Sequence, residues 1–205
     1  MSGESTFQIQ STLAASAAEV WRHSSSMAGV NHELSPLMRM THPAGLERID
    51  QQAVPLGERC FRSYLLAFGF LPVDWDDLAF ESITPGSGFT ESSSLATARV
   101  WRHRRWIEPL ATGGCRLEDH LTWAPRIPGT GFIHRRIVPL LFRHRHRRLV
   151  ALFGGVTEVV GCVGVYAPSS VRGIPSTIVH AEIGTPLRAS AGYRQPPFTS
   201  RSVSS

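Results

Sequence analysis

Apolar and polar residues alternate along two parts of the chain, a pattern typical of strands that bury one face. The first part is short and covers residues 7–11. The second extends from residue 58 to residue 125, where clusters of Gly, Pro and polar residues interrupt it at short intervals. It contains four or five strand-like runs, at residues 61–68, 73–83, 89–95, 98–107 and 115–123. Connections this short favour antiparallel hairpins over crossover helices.

A helix is predicted directly after the first strand. Ser16 and Glu19 form a capping box, in which each side chain accepts a hydrogen bond from the other residue's backbone amide. The inner side of this helix is apolar and carries Val20, Trp21 and Met27. Residues 31–55, which contain several Pro and Gly, then predict a short helix, a loop and an edge strand near residues 46–51.

A second, longer helix is predicted after residue 131. Pro139 lacks a backbone donor, so it either begins the main helix in its first turn or kinks it. Gly154 and Gly155 end it. Beyond them the composition shifts to Ser, Pro, Gly and Thr, although residues 159–166 could add a strand. We therefore predict one domain over residues 1–155 and a loosely ordered extension over residues 156–205.

The last two strand runs carry a pattern that specifies how they pair. Placing Ile107 opposite Leu117 gathers the apolar residues of both strands on one face, and a slip by one residue would scatter them. This register also sets Arg105 opposite Asp119 within the apolar face. A buried carboxylate is costly unless it is paired. The pattern therefore predicts an ion pair between these two residues.

Two interpretations of this ion pair remain open. It can be structural and hold the two strands in register. Alternatively, it can be a polar anchor inside a cavity, where Arg105 and His103 orient an oxygen atom of a ligand. Glu91 and Arg62, on neighbouring strands, are candidates for the same network.

The residues Ala15-Ser16-Ala-Ala-Glu19-Val-Trp21, the run of strands and the long C-terminal helix resemble the helix-grip superfamily, known as SRPBCC or START-like. That group includes polyketide cyclases and lipid-transfer domains. Segments 29–36, 102–103 and 142–149 are similar to an uncharacterised bacterial branch of it. The resemblance covers residues 6–155 and implies an α+β fold, in which a curved antiparallel sheet wraps a long C-terminal helix and leaves an internal cavity.

The resemblance also implies which residues face the cavity, because the apolar face of the Arg105–Asp119 hairpin would point at the C-terminal helix. The expected ligand-binding residues are Tyr64, Phe68, Glu91, Trp101, His103, Arg105, Asp119, Trp123, Ile137 and Leu141. For the apolar ones, simple packing in the core is the alternative. The candidate catalytic residues are His103, Asp119 and Arg105, and His103 leads because its ordinary pKa lies near neutrality.

Composition limits the alternatives. Hydrophobic residues make up 42% of the 205 residues and charged residues 18%, which suits a folded core. Cys60, Cys115 and Cys162 are widely spaced, so neither a disulfide framework nor a structural zinc site is expected. The chain lacks the common hydrolase, nucleotide and metalloprotease motifs, and we expect no cofactor and no metal. Its start does not resemble a signal peptide and its apolar runs are short, which predicts a cytoplasmic location.

Three polar clusters have a functional and a plain interpretation. The run at residues 143–148 is a poor metal site, and a solvated helix face is favoured over an anion-binding surface, although His144 or Arg148 could face inward. His32 and Glu33 could form an acid/base pair, but a capping or surface role is favoured. The acidic residues at 74–77 are interpreted as a turn with solvated carboxylates.

The sequence thus predicts the binding of a small apolar or aromatic, lipid- or polyketide-like molecule in an internal cavity. A cyclase or dehydratase that uses the same cavity is the alternative. The third hypothesis is an arginine-rich face that binds an acidic partner, since the 21 basic residues are all arginine and the net charge is +5. No stable nucleic-acid or membrane partner is expected.

Overall fold

One antiparallel sheet supplies most of the architecture. The computed structural model describes residues 3–50, 54–161 and 165–166. The strands are β1 Glu4–Leu13, β2 Met38–Met40, β3 Arg59–Ala67, β4 Leu71–Thr84, β5 Gly88–Leu95, β6 Ala98–Pro109, β7 Cys115–Pro125, β8 Gly155–Gly161 and β9 Val165–Tyr166. They lie in the order β2-β3-β4-β5-β6-β7-β1-β8, and β9 pairs with β1. Three helices, α1 Ala17–Ser24, α2 Met27–Leu34 and α3 Gly131–Phe153, complete the part of the chain that the structure describes.

The sheet confirms the five strand runs and the predicted hairpin register. In the β6–β7 ladder Ile107 lies opposite Leu117 and Arg105 lies opposite Asp119. The apolar residues of this face are almost completely buried, while Arg102 and Arg104 point to solvent from the other face. Alternation with a period of two therefore decides which side of the hairpin joins the core. The α+β helix-grip fold is confirmed.

The helices begin where the sequence signals predict. Ser16 caps α1 through the complete capping box with Glu19. The single helix expected to contain Met27 is instead two helices, because Ser26 forms a new cap and accepts a hydrogen bond from the Gly29 amide at 3.0 Å. This break turns α2 away from α1 and lets α2 pack against α3.

Helix α3 is continuous over 23 residues. Pro139 lies in its interior and not in the first turn. Gly154 ends it with φ of +71°, a conformation that suits glycine, and its amide donates to the Val150 carbonyl at 2.8 Å. This termination confirms the predicted C-terminal end of the helix and directs the chain into β8.

Two predicted features differ from the structure. The edge strand is β2, whereas residues 46–50 form only a single bridge, between Arg48 and Ser26. The Arg48 guanidinium instead binds Asp50 and Ser25, which holds this segment against α1. The sheet also continues past the predicted boundary at residue 155, since β8 pairs with β1. Residues 162–164 and 167–205 of the predicted extension lie outside the described residues.

Among the described residues, no helix is both long enough and apolar enough to cross a membrane.

Candidate ligand-binding cavity

A cavity of about 380 Å³ lies between α3 and one face of the sheet. Its volume falls within the range of small-molecule sites. The walls are mostly apolar and combine Leu65, Ala67, Val73, Leu95 and Trp101 from the sheet with Ile133, Ile137, Val138, Leu141 and Phe142 from α3. Met38 and Met40 of β2 and Leu34 of α2 complete the apolar lining. Such a surface favours an apolar occupant, because contact with it removes apolar area from water.

Two polar groups of side chains interrupt the apolar wall. One consists of Asp76, Glu91, His103 and Arg145. The other consists of Asp74, Thr97 and His134, in which the Thr97 hydroxyl donates to Asp74 and lies 3.1 Å from His134 Nε2. The second group satisfies its own hydrogen bonds. The first is connected to a larger buried network.

Arg105 lies at the centre of that network and is fully buried. Its Nε and Nη2 atoms donate to the two carboxylate oxygens of Asp119 at 2.8 and 2.7 Å. Its Nη1 atom donates to both carboxylate oxygens of Glu33 at 2.9 and 3.0 Å, and to the Ser24 hydroxyl at 3.2 Å. One guanidinium therefore joins two buried carboxylates, in the geometry that makes such pairs strong.

Glu33 has a second cationic partner. Arg145 Nε donates to Glu33 Oε2 at 2.9 Å, and Arg145 Nη2 lies 2.8 Å from the same atom. Burial alone would raise the pKa of Glu33, but the charges of Arg105 and Arg145 outweigh it and lower the pKa to about 2. This carboxylate links α2 to both β6 and α3, so it contributes to the docking of the helices on the sheet.

Asp119 is bound by two histidines as well as by Arg105. His103 Nε2 lies 2.9 Å from Asp119 Oδ1, and His146 Nε2 lies 3.1 Å from Oδ2. Burial would raise the pKa of Asp119, but Arg105 and His103 hold it well below its ordinary value. His146 Nδ1 continues the chain to the Ser11 hydroxyl at 2.7 Å. Strands β1, β6 and β7 and helix α3 are thereby joined through one ionised carboxylate.

His103 connects this network to the cavity wall. Its Nδ1 atom lies 3.5 Å from Glu91 Oε2, on the side opposite Asp119. Burial would lower the pKa of His103, but Asp119 and, to a smaller extent, Glu91 raise it above its ordinary value. Both ring nitrogens therefore face carboxylates of the protein, and neither is free to bind a ligand directly.

Asp76 and Glu91 are cavity-wall carboxyl groups that are incompletely paired. Both are buried, with 4% and 6% of their surface exposed, and both line the cavity. Among the described residues, Asp76 Oδ1 and Glu91 Oε1 have no hydrogen-bond partner. Burial and the neighbouring charge of Glu91 raise the pKa of Asp76 well above its ordinary value. Buried acceptors without donors are costly, so this corner of the cavity suits a ligand that supplies donors.

Comparison with known proteins identifies the family. Residues 11–153 match the model of a domain of unknown function, DUF8410. The chain belongs to the DUF8410 family. No curated protein matches the sequence of this DUF8410 protein.

Solved structures show the fold of the DUF8410 domain. A structural-genomics protein from Chromobacterium violaceum is 16% identical, with a TM-score of 0.54 over 74% of this chain and 99% of that one. A START superfamily protein from Mycobacterium smegmatis is 13% identical, with a TM-score of 0.51 over 74% and 97%. The Zhui aromatase/cyclase of a Streptomyces species is 9% identical, with a TM-score of 0.51 over 73% and 93%. These likenesses confirm the START-like fold.

About half of the expected ligand-binding residues of the DUF8410 protein lie on the cavity wall. Those on its wall are Glu91, Trp101, His103, Ile137 and Leu141. Arg105 and Asp119 lie behind the wall, where both are completely buried and reach the cavity only through His103 and Arg145. Of the three candidate catalytic residues, only His103 lines the cavity.

Three expected cavity residues are placed elsewhere. Tyr64 and Phe68 are 51% and 67% exposed. In β3 it is Leu65 and Ala67 that face the cavity, and because side chains alternate along a strand, Tyr64 points to the other face. Phe68 lies in the turn after β3. Trp123 is completely buried in a core cluster that includes Phe7, Ile9, Val138 and Phe142.

Four residues of the polar network were not predicted as site residues. Glu33 was assigned to the surface and Asp76 to a solvated turn, yet both are buried. Arg145 and His146 point inward from the basic run of α3, so the predicted arginine-rich face lacks both. Helical spacing carried the signal for the last two, since they lie between Phe142 and Leu149 on the apolar stripe. Asp76 lies two and four residues before Leu78 and Phe80 in β4, so its side chain points to the same face as theirs. That spacing indicated from the sequence that Asp76 faces inward.

The buried Arg105–Asp119 pair has a matched surface counterpart. Arg62 donates to both oxygens of Asp77 at 2.8 Å, also across neighbouring strands, but in an exposed position. We expect Asp119→Asn to lower the free energy of unfolding by about 3–5 kcal/mol, because it removes one of the two buried carboxylates that face Arg105 and places an amide donor against N–H groups in the core. Asp77→Asn should change it little, because water screens that pair. Urea unfolding at pH 7 measures both, and equal effects would contradict a special role for the buried pair.

Asp76 should reduce the stability of the ligand-free protein near neutral pH. Its pKa is raised in the folded state, so stability is lost as the pH rises from the ordinary value of 3.8 towards the folded one. We expect Asp76→Asn to be more stable than the parent at pH 7 by about 1 kcal/mol, and the difference to shrink as the pH falls to 4. Urea unfolding of both proteins across this range tests it. A less stable variant at pH 7 would show that the carboxylate is satisfied within the protein.

Proposed function

We propose that this domain binds a small, mostly apolar molecule with one polar group in the cavity between α3 and the sheet. The observation that carries the proposal is the combination of an apolar wall with the buried carboxyl groups of Asp76 and Glu91, each of which has one oxygen without a partner among the described residues. A purely structural core would gain stability by filling the space with apolar side chains. Retaining both the space and the unpaired carboxylates is a cost that a ligand offsets.

The energetics favour an apolar body for the ligand. Removing apolar surface from water contributes about 25 cal/mol per Å², and the aliphatic and aromatic wall offers contact on several sides. Trp101 and Phe142 lie next to each other at this wall, with ring centroids 6.4 Å apart, and contribute aromatic surface to it. The polar corner then orients the molecule, because only one end of it can reach Asp76 and Glu91.

Exposed apolar side chains mark where a ligand enters. Val73, Ile133 and Ile137 line the cavity and are nevertheless 41–51% exposed. Phe70, two residues after Phe68 in the turn between β3 and β4, is 75% exposed. Several apolar residues exposed together mark an interaction surface more often than isolated ones do. The opening between α3 and the β3–β4 turn therefore suits the passage of an apolar molecule.

Filling the cavity should abolish binding. Ala67 lines the cavity from β3, so Ala67→Trp places a large side chain in the space that a ligand needs. With anthracene as a neutral probe, detected by energy transfer from tryptophan, we expect the parent to bind and Ala67→Trp to lose affinity by about tenfold or more. Ala151→Trp, on the exposed side of α3, is the matched control and should bind like the parent. Equal binding by all three proteins would place the probe outside the cavity.

A second candidate function is acid–base catalysis in the same cavity. The observation that favours it is the pairing of a carboxyl group whose pKa is raised, Asp76, with Glu91 beside it. Two carboxyl groups in unlike protonation states can act as acid and base on one substrate. In such a reaction protonated Asp76 would donate to a carbonyl oxygen of the substrate while Glu91 removes a proton from the adjacent carbon.

Deuterium exchange into 2-tetralone tests this candidate, since its acidic carbon positions exchange through an enol. We expect the parent to accelerate exchange in D₂O at pH 7 above the buffer rate, and Glu91→Gln to lose the acceleration while it still binds anthracene. Glu81→Gln, which changes an exposed carboxylate of β4, is the matched control and should retain the activity. Exchange by the parent at the buffer rate would contradict the catalytic function, and ligand binding would be the one function that remains.

A further inference from the structure

We infer that the molecule held in this cavity is an amine, with an apolar body and one protonated nitrogen that lies against Asp76 and Glu91. The inference rests on the proposed binding function and names the chemical class of the ligand. It is carried by two carboxylate oxygens on the cavity wall, to which none of the described residues donates a hydrogen bond.

The first argument is the balance of charge around the cavity. Four buried carboxylates belong to the network and its cavity face: Glu33, Asp76, Glu91 and Asp119. The buried cationic groups in contact with them are Arg105, Arg145 and, when protonated, His103. His23 lies 3.7 Å from Glu33, but burial lowers its pKa and so favours its neutral form. His146 lies between Asp119 and Ser11, where an uncharged ring can satisfy both of its nitrogens. When all four carboxyl groups are ionised, one of them therefore lacks a counter-charge, and a ligand with a single positive charge restores the balance.

The surroundings of Asp76 identify it as the carboxyl group without a counter-charge. The charges that act most strongly on Asp76 are those of Glu91, Asp74 and Asp77, and all of them are negative. Asp77 is already paired with Arg62 at the surface. The uncompensated charge therefore lies at Asp76, on the same wall as the unpaired oxygen of Glu91.

The binding of an anionic ligand is disfavoured, although Arg145 and His103 line the same cavity. Arg145 is held by Glu33 through its Nε and Nη2 atoms. His103 directs both ring nitrogens at carboxylates. A ligand carboxylate would therefore have to share Arg145 with Glu33 or break a buried ion pair, and the second is costly. An anion placed here would also face the unpaired oxygens of Asp76 and Glu91.

An ammonium group fits the two acceptors better than a neutral group does. It offers up to three donors and a positive charge, whereas a hydroxyl offers one donor. A carbonyl oxygen can pair only with protonated Asp76, and it leaves Glu91 without a donor. Trp101 on the same wall is an aromatic residue that can attract a cation, whereas the Phe142 ring already has the Arg145 guanidinium 4.9 Å from its centroid.

The eight-carbon series octylamine, octanol and octanoic acid separates these chemistries at constant apolar content. By titration calorimetry at pH 7 we expect octylamine to bind the parent about tenfold more tightly than octanol, with octanoic acid weakest. Asp76→Asn and Glu91→Gln should each reduce the amine's advantage over the alcohol. Their unchanged affinity for anthracene, which has no polar group to place at the polar corner, shows that the cavity is intact.

Amine binding should also release protons. The charged groups that surround Asp76 are Asp74 and Asp77 of β4, Glu91 of β5, His103 of β6 and Arg145 of α3. An ammonium group beside Asp76 favours its ionised form, so the carboxyl should give up its proton on binding. Titrations in two buffers of different ionisation enthalpy should show release of up to one proton by the parent, and less by Asp76→Asn.

The outcomes distinguish this inference from the proposed function beneath it. Octanol or octanoic acid binding the parent as tightly as octylamine would overturn the amine assignment and leave the binding function in place. An amine preference that survives in both variants would also overturn it, because the nitrogen would then lie elsewhere. If neither anthracene nor any member of the series binds the parent, the binding function itself fails.

Discussion

The buried pair of Arg105 and Asp119 is the interaction on which the rest of the structure depends. Arg105 extends from β6 to Glu33 on α2, while Asp119 on β7 binds His146 on α3. Each of these side chains is completely buried, so none of them can recover its hydration if a partner is lost. The helices are therefore placed on the sheet by ionic hydrogen bonds with defined directions as well as by apolar packing, which is less specific about orientation.

This network also separates an interior in which the carboxylates have their partners from a cavity wall on which some carboxyl oxygens do not. On the side of His103 away from the cavity, the carboxylates of Glu33 and Asp119 have cationic partners, which lower their pKa values. On the cavity side of His103, Asp76 and Glu91 each have one oxygen to which no residue of the described chain donates. The contrast lies within a single face of the sheet, so general burial does not explain it. Sites that bind ligands often reduce the stability of the empty protein in this way.

Membership of the DUF8410 family and a START-like fold place the chain among proteins of one architecture without assigning a ligand. The identities with the solved structures lie between 9% and 16%, which leaves room for different chemistry on the same frame. The family match at residues 11–153 includes Asp76 and Glu91 as well as the ion network. The chemistry of the cavity must therefore be argued from these side chains.

The sequence by itself determined the features that depend on neighbouring residues or on a regular period. The Ser16–Glu19 capping box is local, and the register of β6 on β7 follows because a shift of one residue would reverse every side chain. What required the tertiary structure was which element covers which face. Glu33 is assigned to the surface until the structure shows α2 packed against α3, and Tyr64 is assigned to the cavity until it shows that Leu65 and Ala67 face the cavity instead. Periodicity describes a face of one element, and only packing decides what that face meets.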